Sequence, residues 1–236
     1  MKMTYHRAAS RGKATMDGCR VGIRSALMII TIPSVWVFGL LRVLNDDWVE
    51  PGKGFGTHPH RDMEIVSIPL QGALHHQDSM GNQHIIATGD VQRMSAGRGV
   101  THSEYNASDH EWVNFLQIWV LSDSKGIAPG YGQKRFDPAR RQNRFQTVVA
   151  PDGRDGAIPI NQASFFTMSS IQKGRTVRYR LNEPRHGVYV FVISGLAEVG
   201  GVPLQERDGV GIESGDEIDV SAGVDTEILT IEVPMR

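Results

Sequence analysis

The sequence predicts an all-β protein that folds as two packed antiparallel β-barrels with few, short helices. Short runs rich in Val, Ile and Phe alternate with Gly, Asn, Asp and Pro, whereas long stretches of helical periodicity are scarce. Turn signals recur at roughly the 8 to 12 residue spacing expected of a sandwich or barrel. With 236 residues, the chain is long enough for two domains of the usual size, about 100 to 150 residues each.

Candidate strands occur in both halves of the chain and follow a similar rhythm of strand, glycine turn and strand. They cover residues 64–72, 84–97 and 114–122 in the first half, and residues 187–201, 215–223 and 226–234 in the second. The polar, basic segment 126–145, punctuated by Gly and Pro, is predicted to link the halves. We therefore expect a first domain at residues 1–130, and a linker plus second domain at residues 131–236.

The composition favours a cytoplasmic protein with a small-molecule partner, and a monomer is the default expectation for a chain of two barrels. Lys and Arg number 25 against 26 Asp and Glu, without long runs of one sign, which argues against a nucleic-acid surface. Cys19 is the only cysteine, which excludes an internal disulfide framework and favours a reducing compartment. The apolar segment Ser25–Leu41 has 17 residues and contains Pro33. It is shorter than the roughly 20 residues that span a bilayer, so no membrane anchor is expected.

Two pairs of potential metal ligands stand out in the first half. His58 and His60 are two residues apart in GFGTHPHRDMEI, and His102 and Glu104 are two apart in THSEYN. Residues two apart on a strand face the same side, so each pair can point into a barrel. Imidazole and carboxylate together suit divalent transition metals. A lone His-x-His is more often a polar strand or loop, but the combination predicts a metal site.

Several other residues are weaker candidates. His75, His76 and Asp78 are expected as solvated residues of a hairpin, with a place on a cavity rim as the alternative, and His84 and His110 are expected to be exposed. Gln117 is a buried amide that either faces the cavity or holds a metal ligand. Met63, Met94 and Trp119 are expected in the core, and His186 is expected to be a surface or packing residue.

Three segments resemble the signature of the pirin family within the cupin superfamily: GFGTHPHRDMEIVSIPLQG, HHQDSMGN and GDVQRMSAGRGVTHSEYN. The resemblance is dense from Leu40 to about Phe136 and thinner towards the C-terminus. It implies a bicupin of two jelly-roll β-barrels, with one iron in the N-terminal barrel. The second half has no His-x-His pair, so its barrel is expected to lack metal ligands and to be structural or one wall of the cavity. The ligands that the resemblance implies are His58, His60, His102 and Glu104, whereas Glu64, at the usual cupin glutamate position, is not a ligand in the pirin pattern.

The resemblance also implies an activity. Pirin-like bacterial proteins resemble quercetin 2,3-dioxygenases, which bind a flavonol through its 3-hydroxyl and neighbouring carbonyl, open the heterocycle with O2 and release carbon monoxide. Glu104 would then be both a metal ligand and the catalytic group that takes the substrate's hydroxyl proton. The expected partners are a flat aromatic substrate and O2, and the expected cofactor is one divalent transition metal, Fe(II).

Two other interpretations stay open. Pirins include proteins that resemble redox-sensitive iron binders, which modulate a transcription factor or a metabolic enzyme without turning over a substrate. A cupin that keeps its metal for stability alone is the third interpretation. Oxygen consumption with a phenolic substrate separates the enzyme from both.

The resemblance is interrupted upstream of Leu40. The segment Met16–Gly39 is unlike the family, whereas YHRAASRGKA before it and LRVLNDD after it fit. Back-translating residues 15–39 with permitted codons and reading one nucleotide earlier can yield HGWLPGRHSFSFDDYHNPERMGFR, a string that resembles the family at this place. The hypothesis is therefore a compensated pair of frameshifts, or a sequencing error of that form.

The two versions of this hypothesis predict different peptides from residues 16–39. A frameshifted gene gives tryptic peptides that match the printed sequence, and such peptides would eliminate the sequencing error. Peptides that match the family-like string would establish the error instead. Mass mapping of the purified protein, together with DNA resequencing, makes this distinction, while the histidine motifs are in frame in both versions.

Overall fold

The computed structural model describes residues 2–10, 12–16, 19–23 and 38–235, which form an all-β molecule. In these ranges the only helices are three 3-10 turns, at Ala8–Ser10, Pro138–Arg141 and Arg154–Gly156. None of the helices in the described part of the chain is long and apolar enough to cross a membrane. The segment predicted to be anomalous includes residues 17–18 and 24–37, which lie outside the described residues.

The strands are numbered along the chain. In the first half they are β1 Met3–His6, β2 Gly12–Met16, β3 Cys19–Ile23, β4 Leu41–Val49, β5 Gly54–His60, β6 Met63–Gln71, β7 Ala73–Asp78, β8 Gln83–Ala87, β9 Asp90–Ser95, β10 Val100–Asn106, β11 Val113–Leu121 and β12 Gly130–Arg135. In the second half they are β13 Gln146–Ala150, β14 Ile158–Pro159, β15 Phe165–Ile171, β16 Thr176–Arg180, β17 His186–Ser194, β18 Leu196–Val199, β19 Val202–Gln205, β20 Gly209–Ile212, β21 Glu217–Ala222 and β22 Thr226–Pro234.

Each half of the molecule is a pair of facing sheets. In the first, a seven-stranded sheet of order β12-β9-β6-β11-β4-β3-β2 faces a four-stranded sheet of order β5-β10-β7-β8. In the second, the orders are β1-β20-β17-β22-β15-β13-β14 and β16-β21-β18-β19. The pairings are antiparallel except for the short β13–β14 pair. The predicted fold, two cupin-type domains of the jelly-roll class, is confirmed.

The two seven-stranded sheets pack against each other through their outer faces. Leu116 and Ile118 of β11 join Val66 of β6 in an apolar cluster that also contains Phe191 and Leu229 of the second half. The inner faces of β6 and β11 line the first domain, so these strands are buried on both sides. Burial on both sides explains why NFLQIWVLS reads as an almost continuous apolar run rather than as an alternating one.

Part of the predicted linker is a strand. Residues 130–135 form β12, which pairs along its length with β9 at the edge of the first sheet. The connection to the second half begins only after β12 and includes the 3-10 turn at 138–141. An edge strand tolerates polar and charged side chains because one side faces solvent, so its composition resembled that of a linker. At the other end, β1 pairs with β20 and extends the sheet of the second half. The boundary at residue 130 stays a prediction.

Leu116→Ala should destabilise the whole protein, because Leu116 is fully buried in the cluster between the two sheets. The expected loss in free energy of unfolding is about 2 to 5 kcal/mol, the usual range for a buried leucine. Urea denaturation measures it. Leu196→Ala is the matched control, since Leu196 is 45% exposed and its loss should change the free energy by less than about 0.5 kcal/mol. Equal effects of the two substitutions would contradict the proposed interface.

Candidate metal centre

The four-stranded sheet of the first domain brings the predicted ligand pairs together. His102 of β10 pairs with His58 of β5 on one side and with Asp78 of β7 on the other, while Glu104 pairs with His76. The β5–β10 register shifts between His102 and Glu104, as at a β-bulge, which changes how the side chains are aimed. The strands approach so closely here that a Cβ on Gly54 would lie 2.4 Å from the Glu104 carbonyl oxygen.

The three predicted histidines form a compact group. The ring centroids are 4.8 Å apart for His58 and His60, 4.4 Å for His58 and His102, and 4.9 Å for His60 and His102. One potential ligand atom from each of them lies within 4.8 Å of the others. A second group with the same spacing consists of His76, His102 and Glu104. The structure thus joins the four predicted ligands through His102 and adds His76, and the exact ligand set stays a prediction.

The unpaired nitrogens of this cluster suit a metal ion. Among the described residues, His60 Nε2 and both ring nitrogens of His102 are buried without a hydrogen-bond partner. An unsatisfied atom of this kind costs about 1 to 3 kcal/mol, and a metal ion would satisfy one nitrogen of each ring. His58 Nδ1 lies 2.8 Å from the Gly56 carbonyl oxygen, which can only accept, so Nδ1 carries the proton and Nε2 keeps its lone pair. The residues present therefore fit a divalent transition metal.

Burial keeps two of these imidazoles neutral. It lowers the pKa of His60 to about 3, with contributions from His102 and His58. It likewise lowers the pKa of His102 to about 3, with contributions from His58 and His76. At neutral pH both rings are therefore in the unprotonated form that a metal requires.

The Glu104 carboxylate is held from the opposite sheet. Gln117 Nε2 donates to Oε2 at 2.5 Å, and Ser67 Oγ donates to Oε1 at 3.3 Å. Trp119 Nε1 in turn donates to Gln117 Oε1 at 3.3 Å. Of the two roles considered for Gln117, the structure supports the one in which it holds a potential ligand. Each carboxylate oxygen retains a further lone pair for a metal or a proton.

The prediction that His76 and Asp78 are solvated turn residues was wrong. Both are buried on β7, and the turn begins only after Asp78. His76 Nε2 lies 3.2 Å from Asp78 Oδ2. Burial acts to raise the pKa of Asp78, but hydrogen bonds, chiefly from Asn82 and His76, outweigh it and lower this pKa. The alternation of Leu74, His76 and Asp78 in ALHHQD was the sequence signal for one buried face.

The remaining candidates lie outside the histidine cluster, either exposed to solvent or buried in the core. His84 and His110 are exposed, as predicted. Met94 is buried, and Met63 and Trp119 pack against its apolar cluster, as expected for core residues. Glu64 is fully buried outside the histidine cluster, where Ser95 and Ser122 donate to it.

His186 is buried and packs inside the second domain, so of the two expected roles, surface and packing, it has the packing role. Its Nδ1 lies 3.0 Å from the Glu232 carboxylate, which also accepts hydrogen bonds from Tyr179 and Asn182. These donors satisfy Glu232, which is fully buried in the second domain.

A groove with a volume of about 460 Å³ opens beside the histidine cluster, within the usual size range of ligand pockets. It is lined by Pro59, His60, Arg61, Ser79, Gly99, Val100 and Thr101. His60 is the member of the cluster that reaches it. The lining is mixed, with Pro59 and Val100 beside the charged Arg61 and the hydroxyl groups of Ser79 and Thr101.

The fold and the site define a bicupin with a candidate metal centre of histidines and a glutamate in its N-terminal barrel. The Pirin family model matches residues 33–120, and a model of the quercetinase C-terminal cupin domain matches residues 147–233. The chain is 39% identical over 202 residues to quercetin 2,3-dioxygenase of Escherichia coli (strain K12), with 86% of both chains covered.

Two further comparisons agree. A pirin-like protein of Caulobacter vibrioides is 39% identical over 201 residues, which cover 85% of this chain and 86% of that one. The crystal structure of the bacterial pirin YhhW from Escherichia coli in complex with nickel(II) matches with a TM-score of 0.93 at 34% identity, over 100% of both chains. The chain belongs to the pirin family, as the sequence motifs predicted.

The metal-free protein should lose stability as the pH falls from about 6.5 towards 3. Below its ordinary pKa of about 6.5, a histidine takes up a proton in the unfolded chain, whereas folded His60 and His102 stay neutral down to about 3. Each therefore costs about 1.4 kcal/mol per pH unit in this window. Urea denaturation at about pH 7 and about pH 5 measures the slope.

His60→Gln removes one of these two contributions and should make the slope shallower. His84→Gln is the control, because His84 is an exposed histidine on β8, at the opposite edge of the same sheet, and its loss should leave the slope as in the wild type. Identical slopes for the wild type and His60→Gln would show that His60 does not titrate in this way.

Proposed function

We propose that the protein is a metal-dependent dioxygenase of the pirin type, which opens a flavonol such as quercetin with O2. The observation that carries the proposal is the group of His58, His60 and His102 beside an open groove, together with Glu104, which meets His102 in a second group. A relative that covers most of the chain bears the name quercetin 2,3-dioxygenase, which supports the same chemistry. Four protein donors leave positions of an octahedral ion open for substrate and O2.

We propose His58, His60, His102 and Glu104 as the ligands of one divalent transition metal, with Fe(II) as the ion. When bound, such an ion supplies electrons to O2 and polarises the substrate's hydroxyl oxygen. The crystal structure of YhhW in complex with nickel(II) supports a divalent ion as the kind of metal that this fold binds. A shell of nitrogen and oxygen donors accepts manganese, cobalt, nickel and copper as well, so the choice of iron rests on the family resemblance.

The chain's own residues would orient the reacting groups and exclude water. Gln117 and Ser67 hold the Glu104 carboxylate, and Trp119 stands edge-on to His60 with ring centroids 4.9 Å apart. We propose Glu104 as the group that takes the proton of the substrate's hydroxyl. Since each of its oxygens accepts one hydrogen bond, the proton would go to a remaining lone pair.

Quercetin-dependent oxygen uptake tests this function. Protein that is stripped of metal and reloaded with ferrous iron should consume O2 with quercetin, and the stripped protein should not. His58→Ala should reduce uptake by more than the ~10 to 100-fold that losing even an outer partner of a metal ligand costs. His110→Ala is the matched control, because the side chain of His110 is 76% exposed, in the loop between β10 and β11.

Uptake that survives in His58→Ala would place the chemistry elsewhere. Metal binding without any oxygen uptake would favour the regulatory interpretation instead. In that interpretation, the oxidation state of the metal controls binding to a protein partner. Binding to such a partner would then be compared between the ferrous and ferric protein.

We propose a cytoplasmic monomer on more general grounds. The single cysteine suits a reducing compartment, and two domains that bury a common apolar cluster need no second subunit to cover it. Size-exclusion chromatography coupled to light scattering measures the oligomeric state.

A further inference from the structure

A row of polar side chains crosses the inner face of the seven-stranded sheet beneath the histidine cluster. Residues paired directly across neighbouring strands point to the same face. Gln117 of β11 pairs with Ser67 of β6 and with Asn45 of β4, and Ser67 pairs with Gln92 of β9. Gln117 and Ser67 hold Glu104, so the whole row faces the cluster.

Asp47 extends this polar surface by one position along β4. Val49, two residues further on, belongs to an inner apolar cluster with Phe115, and Phe115 pairs directly with Asp47. Asp47 therefore points inwards, where an apolar residue would be the stable choice. It is 2% exposed, and among the described residues its Oδ1 has no hydrogen-bond partner.

The neighbouring Asn45 has an unpaired acceptor as well. Its Oδ1 is buried without a partner among the residues that the structure describes. Two buried oxygens without partners, two positions apart on one strand face, are costly for a folded protein unless something binds them. Both are distinct from the groups that hold Glu104.

The carboxyl groups around Asn45 and Asp47 determine which kind of ligand group can bind to them. Burial raises the pKa of Asp47 well above its usual range, and the carboxylates of Asp46 and Glu104 raise it further, while the Asn45 amide acts in the opposite direction. An anionic ligand would be repelled by these carboxylates. A neutral hydroxyl group both donates and accepts hydrogen bonds, and so matches an amide oxygen beside a carboxyl.

We propose that Asn45 and Asp47 form a second polar subsite, which binds a hydroxyl group of the substrate that the metal does not hold. The inference rests on the proposed function and deepens it, because it selects polyhydroxylated flavonols over flavonols whose only hydroxyl is the one beside the carbonyl. Asp47 acts here as a positioning and specificity residue.

Equilibrium binding under argon tests the subsite apart from turnover. Quenching of tryptophan fluorescence in the ferrous protein reports binding, since Trp119 contacts His60. The two probes are quercetin and 3-hydroxyflavone, which lacks the additional hydroxyls. Asp47→Leu should weaken quercetin binding about tenfold, as expected for one buried hydrogen bond, and leave 3-hydroxyflavone binding unchanged. Asp47→Asn, which keeps hydrogen-bonding atoms, should stay within about threefold of the wild type.

Asp46→Asn is the matched control. Asp46 is adjacent on the same strand, but its side chain pairs with Asn114 and Arg207 rather than with the inner row. Its substitution should leave the preference for quercetin over 3-hydroxyflavone unchanged. Metal content should also remain at the wild-type level in Asp47→Leu, and its Tm should not fall, because an apolar side chain replaces a buried carboxyl that has one oxygen without a partner.

The outcomes separate the subsite from the proposed function. Asp47-dependent binding of quercetin without oxygen uptake would support the subsite and overturn the dioxygenase. Equal weakening of both probes in Asp47→Leu, or a lowered Tm with loss of metal, would overturn the subsite in favour of a structural role. Wild-type protein that binds 3-hydroxyflavone as tightly as quercetin, or that binds neither, would overturn it too. Asn45→Ala gives an independent variant, for which the same loss of preference is expected.

Discussion

The register between β5 and β10 is the constraint on which the rest of the centre depends. It sets His58 beside His102, and the shift before Glu104 places Phe55 rather than Gly56 opposite that residue, while the regular β10–β7 register sets Glu104 beside His76. A slip of one residue would turn every one of these side chains to the other face of the sheet. The close approach at Gly54 helps to fix this register, because no larger residue fits against the Glu104 backbone.

Polar groups inside a β-sandwich weaken the fold, and the molecule confines them to a narrow layer. Apolar clusters lie on both sides of this layer, one around Phe115 and Leu74 and the other around Ile65 and Met94. Between them, the histidines of the four-stranded sheet face the amides and carboxyls of the seven-stranded one. Burial strengthens hydrogen bonds such as that from Gln117 to Glu104, and it also makes every unpaired group costly, which is why such groups indicate binding.

The second domain stabilises the first without contributing to the histidine cluster. Its large sheet covers the outer face of β6 and β11, the two strands whose inner faces carry Ser67 and Gln117. The buried carboxylate of Glu232, with its full set of donors, shows that the same fold also uses polar groups purely for structure.

The sequence by itself determined the fold class, the family and the approach of His58, His60 and His102 to one another, because alternation along strands and short local motifs carry that information. It did not reveal that His76 and Asp78 are buried, since a polar strand next to a turn resembles a solvated hairpin. Nor did it reveal β12, whose edge position permits a linker-like composition. The partner of Gln117 and the inward direction of Asp47 were decided by the tertiary structure alone. Both depend on which strands pair and which face of the sheet is enclosed, and these are long-range contacts that no local pattern encodes.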